Sequence, residues 1–233
     1  MKVKLVSYTQ PTEEWKQEGL ENVQDLIAFC AKVSNPSSQI NKETSERLIK
    51  YLIKHQHWSP LEMANATLEI ETTRDIAHQI VRHRSFAFQE FSQRYANPEE
   101  MGDMFVHREA RLQDNKNRQN SVDLDPEDKE AIRLSMMWAS YQNQVIDQAK
   151  RAYEWAIENG IAKEQARVVL PEGLTKTRLY MNGTLRSWVH YIELRSANGT
   201  QKEHMEIAHA CAKAIAEIFP IAGELNDGTT GNI

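Results

Sequence analysis

Hydrophobic residues recur every three or four positions over much of the chain, and this spacing predicts a mostly helical protein. Residues 21–33 illustrate it, since Val23, Leu26, Ile27 and Cys30 fall on one stripe of a helix. Further helices are predicted over residues 43–55, 127–159, 163–169, 184–195 and 201–218, and one more is predicted to begin at Thr72 or Thr73.

Two segments, residues 3–8 and residues 63–71, alternate hydrophobic and polar positions with the period of a β-strand. The stretch 97–126 is polar and is interrupted by proline and glycine, so we expect long loops with short ordered pieces there. Together these elements predict the α+β class: a single domain over residues 1–222, with a small antiparallel or mixed sheet flanked by helices and a long helix near 127–159, followed by a flexible tail over 223–233.

The composition is that of an ordinary globular protein, with 40% hydrophobic and 26% charged residues among 233. The net charge of −5 argues against a general nucleic-acid binder, which would carry a basic domain. No apolar run reaches the length of a membrane span, and the N-terminus lacks the apolar core of a signal peptide. Cys30 and Cys211 are too few for a disulfide framework. We therefore expect a cytoplasmic protein, in the host cytoplasm if the chain is viral, without a nucleic-acid or membrane partner.

The richest chemistry lies between Arg82 and Tyr95, in the sequence RHRSFAFQEFSQRY. A hydrophobic core would need a partner for each of these charges, and a solvated surface gains nothing from the aromatic rings. The mixture therefore indicates a pocket for a flat, anionic ligand. No spacing of histidine, cysteine and carboxylate residues indicates a metal site, and His204 and His209 do not have the spacing of a zinc-binding helix.

The spacing within this segment resembles the motif of the flavin-dependent thymidylate synthases. In that motif a charged triplet, here Arg82-His83-Arg84, is followed after a fixed gap by Ser-x-Arg-Tyr, here Ser92 to Tyr95. Further segments resemble the family in the same chain order: residues 57–63, in which Met63 stands where the family usually has histidine, residues 161–171 and residues 182–195.

The resemblance implies reductive methylation of dUMP to dTMP, with methylenetetrahydrofolate as carbon donor and NADPH as reductant through FAD. It also implies a homotetramer with shared active sites. For the dUMP site the resemblance implies Gln79, Arg82, Glu90, Phe91, Ser92, Gln93, Arg94, Arg167 and Arg195. For the FAD site it implies Ser34, Ser59, Glu62, Arg82, His83, Arg84, Glu90, Thr184, Arg186 and His190.

Two of the residues that match the family are expected to be catalytic. Arg195 would place a cation beside the uracil carbonyl, where negative charge develops, and His57 would stack near the flavin and the folate. Ser92 is a tempting nucleophile, but an unactivated serine needs a base within hydrogen-bond reach, so we expect it to bind substrate. Cys30 and Cys211 lie on apolar helical faces, which favours a hydride from reduced flavin without a covalent bond between protein and substrate.

Each segment also has a purely structural interpretation when it stands alone. Arg167 would be a surface salt-bridge partner, His57 a loop histidine, and the helix over 184–195 a packing helix with one apolar face. Two other functions stay open at this point. One is a nucleotide-binding flavoprotein reductase with a different acceptor, and the other is a nucleic-acid-binding module in which arginine and aromatic groups clamp bases.

Overall fold

The computed structural model describes residues 1–227, which form a mixed α and β fold. The strands are β1 Lys2–Tyr8, β2 Asn65–Thr73, β3 Ala87–Glu90, β4 Arg111–Gln113, β5 Ser121–Asp123 and β6 Lys176–Thr184. The α-helices are α1 Glu13–Gln17, α2 Val23–Ala31, α3 Ser45–Lys54, α4 Arg74–Ile80, α5 Lys129–Glu158, α6 Lys163–Ala166, α7 Leu185–Ser196 and α8 Lys202–Ala216. Short 3-10 helices span Pro36–Ser38, Ser59–Met63, Pro98–Met101, Arg167–Val169 and Pro220–Asp227.

The strands form a four-stranded sheet in the order β1-β2-β6-β3 and a separate antiparallel hairpin of β4 and β5. Polar side chains pair across β2 and β6 on one face of the sheet. The Nδ2 of Asn182 donates to the Thr67 hydroxyl at 2.7 Å, and the Tyr180 hydroxyl donates to Glu69 at 2.9 Å. Successive residues of a strand point to opposite sides of the sheet, so the residues between these polar ones form the other face. That face is apolar, and its fully buried side chains include Ala66, Leu68, Ile70, Leu179 and Met181.

The chain divides into two compact units, and each is a composite of separate sequence segments. The first unit consists of residues 1–70, residues 83–88 and the described chain from Tyr180 onward. The second unit consists of Glu71–Arg82 and Gln89–Leu179. The single domain over residues 1–222 stays a prediction.

The first unit is built around α7, which packs against α8. Trp188 of α7 is fully buried, and its indole N–H donates to the backbone oxygen of Ala66 at 3.0 Å. This bond satisfies the one polar group of a large apolar ring and ties α7 to β2. The Phe86 ring lies 4.8 Å from the Trp188 ring, edge to face. It occupies the space that a side chain at position 183 would need, and the residue there is Gly183.

The second unit is organised by α5, a helix of 30 residues that begins at the capping residue Asp128. Gln142, only 3% exposed, is fixed by both ends of its amide: Oε1 accepts from the Arg108 backbone N–H at 2.7 Å, and Nε2 donates to the Arg108 carbonyl at 3.0 Å. A small apolar cluster packs beside the helix; its members are Met104, Tyr153, Ala156, Ala166 and Leu170.

One side of α5 carries large apolar side chains that the second unit leaves exposed. Met137 is 44% exposed, and Trp155 is 60% exposed. An apolar surface of this kind is typical of a protein interface. None of the described helices, α5 included, combines the length and the apolar character that a membrane span requires. The other exposed members of this face include Leu134, Trp138, Tyr141 and Val145.

The predicted α+β class, the small sheet and the long helix are confirmed. No strand was predicted within the motif, yet its residues Ala87–Glu90 form β3 at the edge of the sheet. Of the tail predicted over 223–233, residues up to Asp227 lie in a 3-10 helix in which Leu225 is fully buried, and 228–233 lie outside the described residues.

Gly183→Ala is expected to destabilise the protein by about 1–3 kcal/mol, because the new Cβ would overlap the Phe86 ring. The ring cannot move away freely, since it packs against Trp188. Chemical denaturation would measure the loss. Gly173→Ala is the matched control, because its Cβ would come no closer than 3.9 Å to another side chain. Equal stability of the two variants would contradict this close packing of Gly183 and Phe86.

Candidate functional site

The motif residues begin where α4 ends and continue through a turn into β3. The turn is held by backbone bonds from the Arg82 N–H to the Gln79 carbonyl at 3.4 Å and from the Phe86 N–H to the His83 carbonyl at 3.3 Å. Of the motif, residues 83–88 belong to the first unit, while Arg82 and residues 89–95 belong to the second.

In the first unit, Arg195 is paired with His83. The Arg195 Nε–H, in the last turn of α7, donates to Nε2 of His83 at 2.9 Å. Nε2 must therefore carry a lone pair, so the imidazole is neutral with its proton on Nδ1. Burial and, to a smaller extent, the neighbouring Arg195 cation lower the pKa of His83 from 6.5 to about 4. The Nη groups of Arg195 make no hydrogen bond or ion pair within residues 1–227.

Behind this pair lies a buried group of polar rings. The Tyr191 ring meets the His83 ring edge to face with centroids 4.9 Å apart, and the Tyr191 hydroxyl lies 3.1 Å from Nε2 of His204. Tyr191 is 1% exposed and His204 is fully buried. Burial lowers the pKa of His204 to about 3 and raises the pKa of Tyr191 well above its usual value, so both side chains are neutral.

A second group of predicted residues lies at the start of α7. Arg186 forms an ion pair with Glu62, and the His190 ring lies 4.3 Å from the Trp58 ring. Burial lowers the pKa of His190, and the Arg186 charge contributes to the shift. Thr184 is the helix cap: its hydroxyl accepts from the Ser187 N–H at 3.1 Å.

His57 stands beside two other rings on the surface of the first unit. The Tyr51 ring lies 4.2 Å from the His55 ring and 6.0 Å from the His57 ring. Gln56, between the two histidines, adopts a φ of 58°, a left-handed conformation that is uncommon for a residue with a side chain. Ser59, at the start of its 3-10 helix, is exposed like His57.

Ser34 and Arg84 are exposed residues of the first unit, in the turn after α2 and in the motif turn respectively. Neither side chain makes a hydrogen bond or an ion pair with any residue of the described chain. The structure therefore leaves the Arg84 guanidinium available to an anion.

In the second unit, Glu90 is held from two sides. It accepts from Nη1 of Arg74 at 3.3 Å and from the Thr177 hydroxyl at 2.9 Å. Arg74 in turn donates through Nε to Glu172 at 3.3 Å. Phe91 follows β3, and its backbone N–H donates to the Arg178 carbonyl of β6 at 2.8 Å. Glu90 and Phe91 are thus placed by the sheet rather than by a mobile loop.

The serine and arginine of the motif lie in the turn after β3. The Ser92 hydroxyl accepts from the Arg94 N–H at 3.4 Å, and no carboxylate or imidazole of the described chain bonds to it. Arg94 reaches Glu164 of α6 at 3.4 Å, with both side chains about half exposed. Gln93 is 3% exposed, and its buried Nε2 has no hydrogen-bond partner in the described structure. An unpaired buried donor is costly, so this amide is suited to a ligand.

The remaining predicted residues of the second unit are Gln79, Arg82 and Arg167. Gln79 is half-buried in α4, Arg82 is exposed after it, and Arg167 is half-buried where α6 passes into a 3-10 helix. Neither arginine side chain has a bonding partner within residues 1–227.

Sequence reasoning missed several residues that shape these groups. Arg74, which donates to Glu90, was not predicted as a site residue, because an arginine in the first turn of a helix is commonly solvent-exposed. Trp58 and Tyr191 lie within segments that resemble the family, but neither was named as a site residue, although their rings contact His190 and His83. The signal that could have found Tyr191 is its position four residues before Arg195, on the same side of α7.

Because the folded-state pKa of His83 lies below its usual value of 6.5, unfolding takes up a proton between about pH 6.5 and about pH 4. The contribution of neutral His83 to the free energy of unfolding is thus complete above pH 6.5 and is lost as the pH falls through this window. His83→Gln should reduce the slope of stability against pH by up to about one proton, as measured by urea denaturation from pH 7 to pH 5. His204 would still contribute to the pH dependence of the variant, and an unchanged slope would contradict a neutral, half-buried His83.

Comparisons with known proteins identify the family of this chain. The model of the family described as "Thymidylate synthase complementing protein" matches residues 16–221. A "probable flavin-dependent thymidylate synthase" of Paramecium bursaria Chlorella virus 1 is 49% identical over 220 residues, which are 94% of this chain and 96% of that protein. The flavin-dependent thymidylate synthase of a Synechocystis strain is 45% identical over 221 residues, with the same two shares of 94% and 96%.

The fold is also similar to a crystal structure of the UMP/dUMP methylase PolB from Streptomyces cacaoi bound with 5-Br dUMP. The TM-score is 0.75 at 22% identity, and the match covers 96% of this chain and 93% of that one. At this identity the likeness supports the fold alone. The family match over most of the chain and the identity with relatives over nearly their whole length lead to one conclusion: the chain belongs to the flavin-dependent thymidylate synthase family.

Proposed function

We propose that the protein catalyses the reductive methylation of dUMP to dTMP, with methylenetetrahydrofolate as carbon donor and NADPH as the source of electrons through FAD. The observation that carries the proposal is the Arg195 guanidinium. Its Nε is occupied by His83, while its Nη groups have no partner within the described residues. A cation that is fixed at one side and open at the other is suited to an anionic or polarised ligand.

The side chains of the first unit fit a flavin dinucleotide. Arg84 offers an unpaired guanidinium, which can bind a phosphate through two parallel hydrogen bonds. Trp58 and His190 offer flat rings beside the Arg186–Glu62 pair, as the planar parts of the cofactor require. Because Glu62 already neutralises Arg186, this pair would orient the cofactor through hydrogen bonds more than through net charge. FAD, when bound, relays the electrons of NADPH to the carbon that methylenetetrahydrofolate donates.

The second unit supplies side chains that suit the nucleotide. Arg94 and Arg82 can bind the phosphate of dUMP; Arg94 would exchange its exposed pairing with Glu164 for a stronger one, since exposed ion pairs contribute little. The unpaired Nε2 of Gln93 can donate to a ligand oxygen. Arg167 has no protein partner in the described chain and would hold the nucleotide beside these groups.

The roles of Arg195 and Ser92 in the reaction follow from their contacts. Arg195 would stabilise the negative charge that develops on a uracil carbonyl when the ring is attacked at the far carbon of the conjugated double bond. Neutral His83 holds this cation without cancelling its charge, which a carboxylate partner would do. Ser92 has no base bonded to it in the described structure, so it would hold the substrate rather than attack it. His57, exposed beside Tyr51, would stack with the folate or the flavin.

We also propose that the protein works as a homotetramer in the cytoplasm, with active sites shared among subunits. The exposed apolar face of α5, which includes Met137, Trp138 and Tyr141, supports an assembly of copies. The free thiols of Cys30 and Cys211 are consistent with a reducing compartment. Light scattering of the purified protein would test the assembly.

Arg195→Ala is expected to lower kcat by about 1,000-fold, because it removes the cation that stabilises charge in the transition state. Ser92→Ala should stay within about tenfold of wild type, because it removes no more than a substrate hydrogen bond. Steady-state kinetics at saturating dUMP would measure both. A Ser92→Ala enzyme that binds dUMP normally but makes no dTMP would contradict a purely substrate-binding role for this serine.

Incubation of the FAD-loaded protein with dUMP and methylenetetrahydrofolate should yield dTMP only when NADPH is also present, because oxidised FAD has no electrons to deliver. Chromatography of the nucleotides would measure it. NADPH oxidation without any dTMP would overturn the proposed function and favour a flavoprotein reductase. A protein that binds oligonucleotides but neither FAD nor dUMP would favour a nucleic-acid-binding module.

A further inference from the structure

Arg195 depends for its position on one imidazole, and that imidazole is bounded by two other rings of the first unit. The Tyr191 ring stands at 80° to the His83 ring with centroids 4.9 Å apart, and the His204 ring stands at 88° to it at 6.3 Å. Two nearly perpendicular neighbours restrict both the tilt and the translation of the His83 ring.

The two neighbours are themselves tied together. The Tyr191 hydroxyl and Nε2 of His204 are 3.1 Å apart, in a region where neither side chain is more than 1% exposed. Buried polar groups of this kind are costly unless they are paired, so the hydrogen bond resists displacement of either ring. Tyr191 and Arg195 come from α7 and His204 comes from α8, so the contact also fixes the two helices against each other.

We propose that Tyr191 and His204 are positioning residues: they hold the His83 imidazole and, through it, the Arg195 guanidinium in the orientation that the substrate requires. Neither residue touches a ligand in this role. The chain of contacts runs from His204 to Tyr191 by hydrogen bond, from Tyr191 to His83 by ring packing, and from His83 to Arg195 by hydrogen bond. The proposal rests on the proposed function, because it concerns the cation assigned to dUMP.

A purely apolar pair at these positions would fill the same space and would not need a hydrogen bond. The presence of a phenol and an imidazole in a fully buried location, each with a desolvation cost, therefore points to a geometric requirement. The requirement is strict, because a guanidinium held through Nε swings its Nη groups over a wide arc when the anchoring ring rotates. A displacement of about 1 Å at a reacting group is enough to slow catalysis by about 100-fold.

The test uses the FAD-loaded full-length protein with three variants and one control. His204→Leu removes the hydrogen bond and keeps the volume apolar, Tyr191→Phe removes only the hydroxyl, and His204→Gln keeps a polar group within reach of it. His209→Leu is the matched control: it removes another imidazole from α8, with Nε2 buried and unpaired in the described structure, that lies outside this chain of contacts. Thermal melts would verify that each variant is folded.

We expect His204→Leu to lower kcat by about 10- to 100-fold with a smaller change in the KM for dUMP. Tyr191→Phe should lower kcat in the same direction. His204→Gln should recover most of the activity, and His209→Leu should match wild type. If Tyr191→Phe and His204→Leu both keep the wild-type kcat, the proposal is overturned. Should His204→Leu fail to fold, Tyr191→Phe and His204→Gln decide the question.

A double-mutant cycle separates positioning from a general structural effect, and it does not need turnover. The Kd of dUMP would be measured by calorimetry for His204→Leu in the wild-type background and in the Arg195→Ala background. If His204 acts through Arg195, its substitution weakens dUMP binding only while Arg195 is present. An equal loss in both backgrounds would overturn the proposal. Wild-type protein that binds dUMP without forming dTMP would overturn the proposed function alone, and wild-type protein that does not bind dUMP would overturn both.

Discussion

A guanidinium that donates its Nε–H to a neutral imidazole is the interaction on which the proposed chemistry of this protein depends. The Arg195–His83 bond needs an unprotonated nitrogen on His83, and burial provides it by making a second positive charge too costly there. A carboxylate in the place of His83 would anchor Arg195 equally well but would cancel its charge. The imidazole therefore solves two problems at once, because it fixes the position of a cation and leaves its charge available to a ligand.

The helices and the class of fold could be predicted from the sequence because long apolar stripes fix them without reference to the rest of the chain. Strand β6 shows where this reasoning fails. Its buried positions include Thr177 and Gly183, which do not read as hydrophobic. Thr177 is buried because its hydroxyl donates to Glu90, and Gly183 because the Phe86 ring occupies the space of a side chain. Both causes are contacts with distant residues, which a local pattern does not contain.

The same limit applies to the candidate site: a sequence motif identifies residues of the site, but the contacts between their side chains depend on the packing of the whole chain. The resemblance to a family named the residues, but it did not say which side chains bond each other. Arg195 and His83 are 112 positions apart, and Glu90 meets Thr177 across 87 positions. Such pairings depend on the fold of the whole chain. Thr184, assigned to the cofactor by resemblance, turns out to cap α7, a role that its place just before the helix was able to indicate.

The chain passes between the two compact units four times, at residues 70–71, 82–83, 88–89 and 179–180. Neither unit is therefore a contiguous piece of sequence, and a truncated chain would not contain either unit alone. Strands β2, β3 and β6 each contain one of these crossings, so the hydrogen-bond ladders of the sheet form only after remote segments have met. Such non-local pairing gives a high contact order, and folding is correspondingly slow. Partly synthesised chains then expose unpaired strand edges, so this protein is expected to rely on completion of the chain, near Thr184 and beyond, before its sheet is protected from aggregation.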